Sequence, residues 1–213
     1  MVSTTRRRST ATDRRAALEE RIVSALEELL RGGPTYTELS VEQIAHAAGI
    51  SRSTFYLYFR DKVDVLLRVS GSLRTRSYEI AEAWQPCGPD GGADGLARTY
   101  EQIMRHYRRH AALLSAIHEV AAYDPAVRDS WAAHQDRFVD NVVAVLKEER
   151  RAGRTPADID PQLAARLIVQ GGGEVITRQV VGGDGSDDAV VARELAYGYW
   201  HGVYRRPAGR PAD

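Results

Sequence analysis

The chain has 213 residues, 43% of them hydrophobic and 27% charged, and its 29 basic side chains balance its 29 acidic ones. That composition suits a core-forming protein of one large domain or two small ones, and a net charge of zero excludes a generic polycation that coats nucleic acid. No run approaches the roughly 18 apolar residues that a membrane span needs. The single cysteine, Cys87, excludes a disulfide framework and a multi-cysteine metal site, and the N-terminal arginines have no apolar stretch behind them, as a secretory signal would; both point to the cytoplasm.

Residues 1–15 are polar and lack apolar periodicity. Arg6, Arg7, Arg8, Arg14 and Arg15 face only Asp13 there, a local charge of +4, and a disordered basic arm is expected. From Ala16 the pattern turns helical, with Leu18, Ile22, Ala25, Leu26 and Leu29 at spacings of three and four, stopped by Gly32-Gly33-Pro34. Ser40 and Gln43 form a capping box for a second helix that Gly49 ends. Ser51 caps a short third helix to about Tyr58, and Asp61 a long fourth one to about Trp84. After the turn-rich 86–92 segment, helices are expected at about 95–107, 110–122, 126–152, 161–181 and 187–204, with Pro125 and Gly153 bounding the longest. No segment alternates as a strand. The fold class is therefore all-α with about nine helices. Four regions are expected: the arm 1–15, a helix-turn-helix domain 16–62, a larger helical domain 63–205 and a flexible Pro/Arg-rich tail 206–213.

The stretch from Ser40 to Lys62 is the most informative. Two capped helices meet through Ala48-Gly49-Ile50-Ser51, the short glycine turn that a helix-turn-helix requires. Phe55 and Phe59 share one face and anchor the second of them, leaving Arg52, Ser53, Thr54, Tyr56 and Tyr58 to point outward. The string Gly49-Ile50-Ser51-Arg52-Ser53-Thr54-Phe55-Tyr56-Leu57-Tyr58-Phe59, followed by Asp61-Lys62, closely resembles the TetR family of bacterial transcriptional regulators. The remainder resembles that family's EthR-like branch through Arg108-Arg109-His110, Trp131, the 148–153 helix end and the Tyr199–Tyr204 ending.

The resemblance implies that Arg52–Tyr58 enters the major groove of double-stranded operator DNA. Arg52 would then reach guanine, Ser53 and Thr54 base edges, and Tyr56, Tyr58 and Lys62 phosphate, with the helix starts at Ser40 and Ser51 adding backbone amides. Arg6, Arg7 and Arg8 have two readings, a solubilising terminus or a minor-groove and backbone contact.

No catalytic signature occurs after residue 71, and neither an enzyme nor a cofactor is expected. The resemblance implies instead a pocket for a small apolar or amphipathic effector. Residues at helical spacing that suit its wall are Trp84, Tyr100, Ile103, Met104, Tyr107, Leu114, Ile117, Trp131, Phe138 and Val142, with Gln135, Gln170 and Glu174 as polar interruptions. Core is the competing reading for each apolar one. Where the EthR-like branch carries asparagines on the penultimate helix, this chain has Ile168 and Gly171-Gly172-Gly173. Each glycine costs a helix about 1 kcal/mol, to be offset by close helix approach, room for ligand or a helix break. The resemblance also implies a homodimer through the last two helices, with Ile176, Val180, Val191, Leu195 and Tyr199 as seam residues. A DNA-binding, ligand-released repressor is the reading, and a helical carrier or interaction module without DNA binding is the alternative.

Overall fold

The computed structural model describes residues 11–31 and 33–207, and these contain helices and no strand. The helices are α1 (Ala11–Arg31), α2 (Val41–Ala47), α3 (Arg52–Tyr58), α4 (Lys62–Ala83), α5 (Gly92–Arg109), α6 (Ala111–Ala121), α7 (Pro125–Arg151), α8 (Pro161–Arg166), α9 (Gly172–Gly182) and α10 (Asp188–Tyr199). A π-helical turn, Leu167–Gly171, joins α8 to α9 without a break, and a second, Trp200–Tyr204, extends α10. The expected single helix over 161–181 thus holds a wider turn in its middle. No described helix is long and apolar enough to cross a membrane.

Two compact units share the chain, and the division between Ser70 and Gly71 falls inside α4. The expected disorder up to residue 15 is corrected at its end: α1 begins at Ala11, where an exposed Arg15–Glu19 pair supports its first turns. The expected contacts from Arg6, Arg7 and Arg8 lie outside the described residues.

In the first unit, Ile22, Leu26, Tyr36, Ile44, Phe55, Val65 and Leu66 are all fully buried, so α1, α2, α3 and the start of α4 contribute to one small core. In the second unit α10 packs along α5, helped by Ala192 and Ala196, both fully buried, whose small side chains allow a close approach. Arg108 locks that pair. Its guanidinium donates to Asp188 at 2.8 and 2.6 Å, to the Gly183 carbonyl at 2.7 Å and to the Gln179 carbonyl at 3.0 Å, tying α5 to the end of α9 and the start of α10. At the other end of the unit, buried Glu149 on α7 receives Arg154 at 2.7 Å and Arg205 at 2.9 Å. Burial pushes its carboxyl pKa up, but the two guanidinium groups outweigh burial and hold it below the ordinary range.

Candidate nucleic-acid interface and ligand cavity

The turn between α2 and α3 is built from backbone chemistry. Gly49 takes the left-handed conformation at φ 62°; its N–H donates to the His46 carbonyl and that of Ile50 to the Ala45 carbonyl, both at 2.9 Å. This closes the carbonyl end of α2 as a Schellman motif. From α1, Arg21 donates to the remaining carbonyls of Ala48 (2.6 Å) and Gly49 (2.9 Å). Ser40 and Gln43 form the expected capping box, and Ser51 Oγ accepts the Thr54 N–H at 3.0 Å.

These caps fix which face of α3 is outward. Phe55 and Phe59 are buried with ring centroids 5.3 Å apart, whereas Arg52, Ser53, Tyr56 and Leu57 are exposed. Thr54 and Tyr58 are half-buried, and the Arg52 guanidinium lies 5.7 Å over the Tyr56 ring. Leu57, 82% exposed, joins this face, a residue that sequence reasoning passed over although its position two beyond Phe55 places it away from the anchor side.

Lys62 requires a correction. Its ammonium, expected at phosphate, donates to the carbonyls of Thr37 (2.7 Å), Leu39 (3.1 Å) and Tyr36 (3.3 Å). All three of its protons are thereby engaged, and the Tyr36 hydroxyl donates back to the Lys62 carbonyl. Lys62 positions the loop that leads into Ser40.

The second unit contains a partly open cavity of about 120 Å³. Eight of the expected wall residues line it: Trp84 from the end of α4, Tyr100, Ile103 and Tyr107 from α5, and Trp131, Gln135, Phe138 and Val142 from α7. Met104, Leu114 and Ile117 do not; all three are fully buried in the surrounding core, where the competing reading placed them. Gln170 and Glu174 do not either, because the π turn and α9 carry them on an exposed face. The helix reaches the cavity through Ile168, Val169, Gly173, Ile176 and Thr177 instead. His134, Asn141 and Tyr204 also line it. The signal for Asn141 was present, since 131, 134, 138, 141 and 145 follow one helical stripe.

The wall is electrically neutral. No Asp, Glu, Lys or Arg lines it. Burial, with Arg74 and Arg137 adding repulsion, lowers the His134 pKa to about 4, and burial raises those of Tyr100, Tyr107 and Tyr204. The buried Tyr100 hydroxyl, Trp84 Nε1 and His134 Nε2 have no hydrogen-bond partner among the described residues.

The glycine trio is explained by Tyr199. A Cβ on Gly171 would lie 3.2 Å from the Tyr199 hydroxyl oxygen, and one on Gly172 3.3 Å from its ring. That hydroxyl donates to the Leu167 carbonyl at 3.0 Å, in the π turn. Close approach and altered helix geometry therefore occur together, while Gly173 faces the cavity.

Two expected seam residues are also corrected. Ile176 and Val180 are buried within the chain at 4% and 2% exposure, Ile176 in the cavity wall. Val191, Leu195 and Tyr199 are half-buried. The apolar side chains left outward on these helices are Leu163, Leu167, Val175, Val181, Val190 and Tyr197.

Comparison with known proteins assigns these features to a class. The family model for bacterial regulatory proteins of the tetR family matches residues 22–69, and that for the C-terminal domain of the transcriptional regulator EthR matches residues 96–194. The HTH-type transcriptional regulator EthR of Mycolicibacterium smegmatis is 29% identical over 155 residues, covering 71% of this chain and 68% of that protein. EthR of Mycobacterium tuberculosis is 28% identical over 136 residues, covering 63% of this chain and 62% of the relative. Salmonella enterica GusR shares the fold at a TM-score of 0.70 and 19% identity, over 90% of this chain and 97% of that one. The fatty acid degradation regulator FadR from Bacillus halodurans does so at 0.69 and 19%, over 89% and 97%. The class is that of DNA-binding, helix-turn-helix transcriptional regulators and not of enzymes. Within it, the chain belongs to the TetR family and is EthR-like in its C-terminal part.

Proposed function

We propose that this regulator is a repressor that binds a palindromic operator as a homodimer and is released by a small, largely apolar effector. The observation that carries the reading is the outward face of α3. Arg52, Ser53, Tyr56 and Leu57 are presented by a helix that caps and two buried phenylalanines hold in place. Such a face offers a bidentate donor for guanine, hydroxyls for phosphate and an apolar contact for thymine methyl. Thr54 and Tyr58 border it, and the capped starts of α2 at Ser40 and α3 at Ser51 supply amides toward phosphate.

Dimerisation, common in this family, is supported by the outward apolar stripe on α8, α9 and α10. Two such chains would set two α3 helices about 34–36 Å apart to meet successive major grooves. Effector release is supported by the neutral cavity and by α4, which belongs to both units: Ala81 near its end lines the cavity, and Lys62 at its start holds the 36–39 loop. An effector must favour the released arrangement over the DNA-bound one to act.

Selection from a random duplex pool tests the reading. Enrichment of an inverted repeat with half-sites about one helical turn apart is expected; a single half-site, a direct repeat or no enrichment contradicts it.

A further inference from the structure

We propose that the cavity takes a neutral, one-ring aromatic molecule bearing a carbonyl oxygen, and that the Tyr100 hydroxyl donates to that oxygen. This rests on reading the cavity as the effector site and goes further by naming the chemistry of the occupant.

Size is the first argument. The cavity measures about 120 Å³, and an engineered apolar cavity of about 150 Å³ holds benzene. One ring with a short substituent matches that space. The wall is the second. Tyr100, Tyr107, Trp131, His134, Phe138 and Tyr204 line the space, and rings of this kind suit an aromatic guest.

Charge is the third argument. An ionised ligand would enter a wall without a charged partner, because no Asp, Glu, Lys or Arg lines it and the His134 imidazole, with its pKa at about 4, is neutral at pH 7; Arg74 and Arg137 act on that ring without lining the space. Hydrogen bonding is the fourth. The Tyr107 hydroxyl already donates to Ser77 Oγ at 2.9 Å and the Thr99 hydroxyl to the Gly95 carbonyl at 3.0 Å. The Tyr100 hydroxyl, 92% of whose residue is buried, has no such partner among the described residues. A phenol is a better donor than acceptor, and a carbonyl oxygen accepts from it.

Acetophenone, ethylbenzene and benzoate separate these arguments when titrated calorimetrically into the full chain and into Tyr100→Phe. The wild type is expected to bind acetophenone about tenfold more tightly than ethylbenzene, and benzoate more weakly than either. Tyr100→Phe should abolish the gap between acetophenone and ethylbenzene while leaving ethylbenzene binding as it was. Infrared difference spectra of acetophenone on the wild type give a second readout that needs no variant: a carbonyl stretch lowered as in a hydrogen-bonded ketone supports the proposal. Benzoate binding as tightly as acetophenone, a gap that survives Tyr100→Phe, a carbonyl stretch as in alkane solvent, or no binding of any neutral probe overturns it. DNA binding measured on the same preparations keeps the two readings apart. Retained DNA binding with failed ligand results overturns only the ligand chemistry, whereas lost DNA binding strikes the regulator reading itself.

Discussion

Lys62 shows how a single side chain changes role between sequence and structure. The family resemblance implies a phosphate contact, yet the Lys62 ammonium is bonded to three carbonyls of a loop more than twenty residues earlier. Lys62→Met should therefore lower the stability of the first unit by about 2 kcal/mol, seen as an earlier thermal transition, while the salt dependence of DNA binding stays unchanged. An unaltered transition with a salt slope shallower by about one would restore the phosphate contact. His134 supports a second residue-scale prediction. Burial holds its pKa at about 4, against about 6.5 in an unfolded chain, so the unfolded chain takes up the proton first as pH falls. The stability contributed by the neutral ring is complete above pH 6.5 and is lost between pH 6.5 and about 4. Burial shifts His106 and His118 the same way. Urea midpoints at pH 7 and pH 5 should therefore fall apart in the wild type and draw closer in His134→Gln; equal differences in both proteins would contradict this. The three histidines differ from Lys62 in legibility only by degree, since burial and long-range partners are tertiary facts that spacing does not carry.

At the scale of elements, the penultimate helix is the instructive case. Its 161–181 span was legible from Pro161 and the apolar spacing, but the π turn was not, since the Tyr199 hydroxyl that bonds the Leu167 carbonyl there comes from another helix. Tyr199→Phe should destabilise the second unit by about 1 kcal/mol, read as a lower urea midpoint; no change would mean that the turn holds without the bond. The apolar faces of α9 were legible as a pair but not in their assignment. Ile176 and Val180, which are buried, and Val175 and Val181, which are exposed, are equally apolar in sequence, and only packing within the folded unit decides which pair faces inward. Exposed apolar side chains gathered on neighbouring helices offer an interaction surface. Replacing Leu167 and Val175 together with glutamate should give monomers by sedimentation with unchanged helix content. Dimers that persist would move the interface elsewhere.

For the whole molecule, the balanced charge has a consequence. Residues 11–70 carry eight basic and nine acidic side chains, so the folded part of the first unit is not a basic surface. Its case for reading DNA rests on geometry, with Arg52, Tyr56 and the capped helix starts placed by the Gly49 turn and the Arg21 clamp. Weak non-specific binding at physiological salt follows. This region was the most legible of the chain, because caps, turn glycine and aromatic anchors are local signals that sequence records directly. The cavity was legible in its α5 and α7 walls and illegible where long-range packing decided it. The most direct measurement is the affinity of the selected duplex for the wild type and for the Arg52→Ala, Tyr56→Ala double variant, both of which place only exposed side chains at risk. A loss of about a hundredfold or more with oligomeric state and melting temperature unchanged is predicted; undiminished binding by the folded double variant would contradict the account.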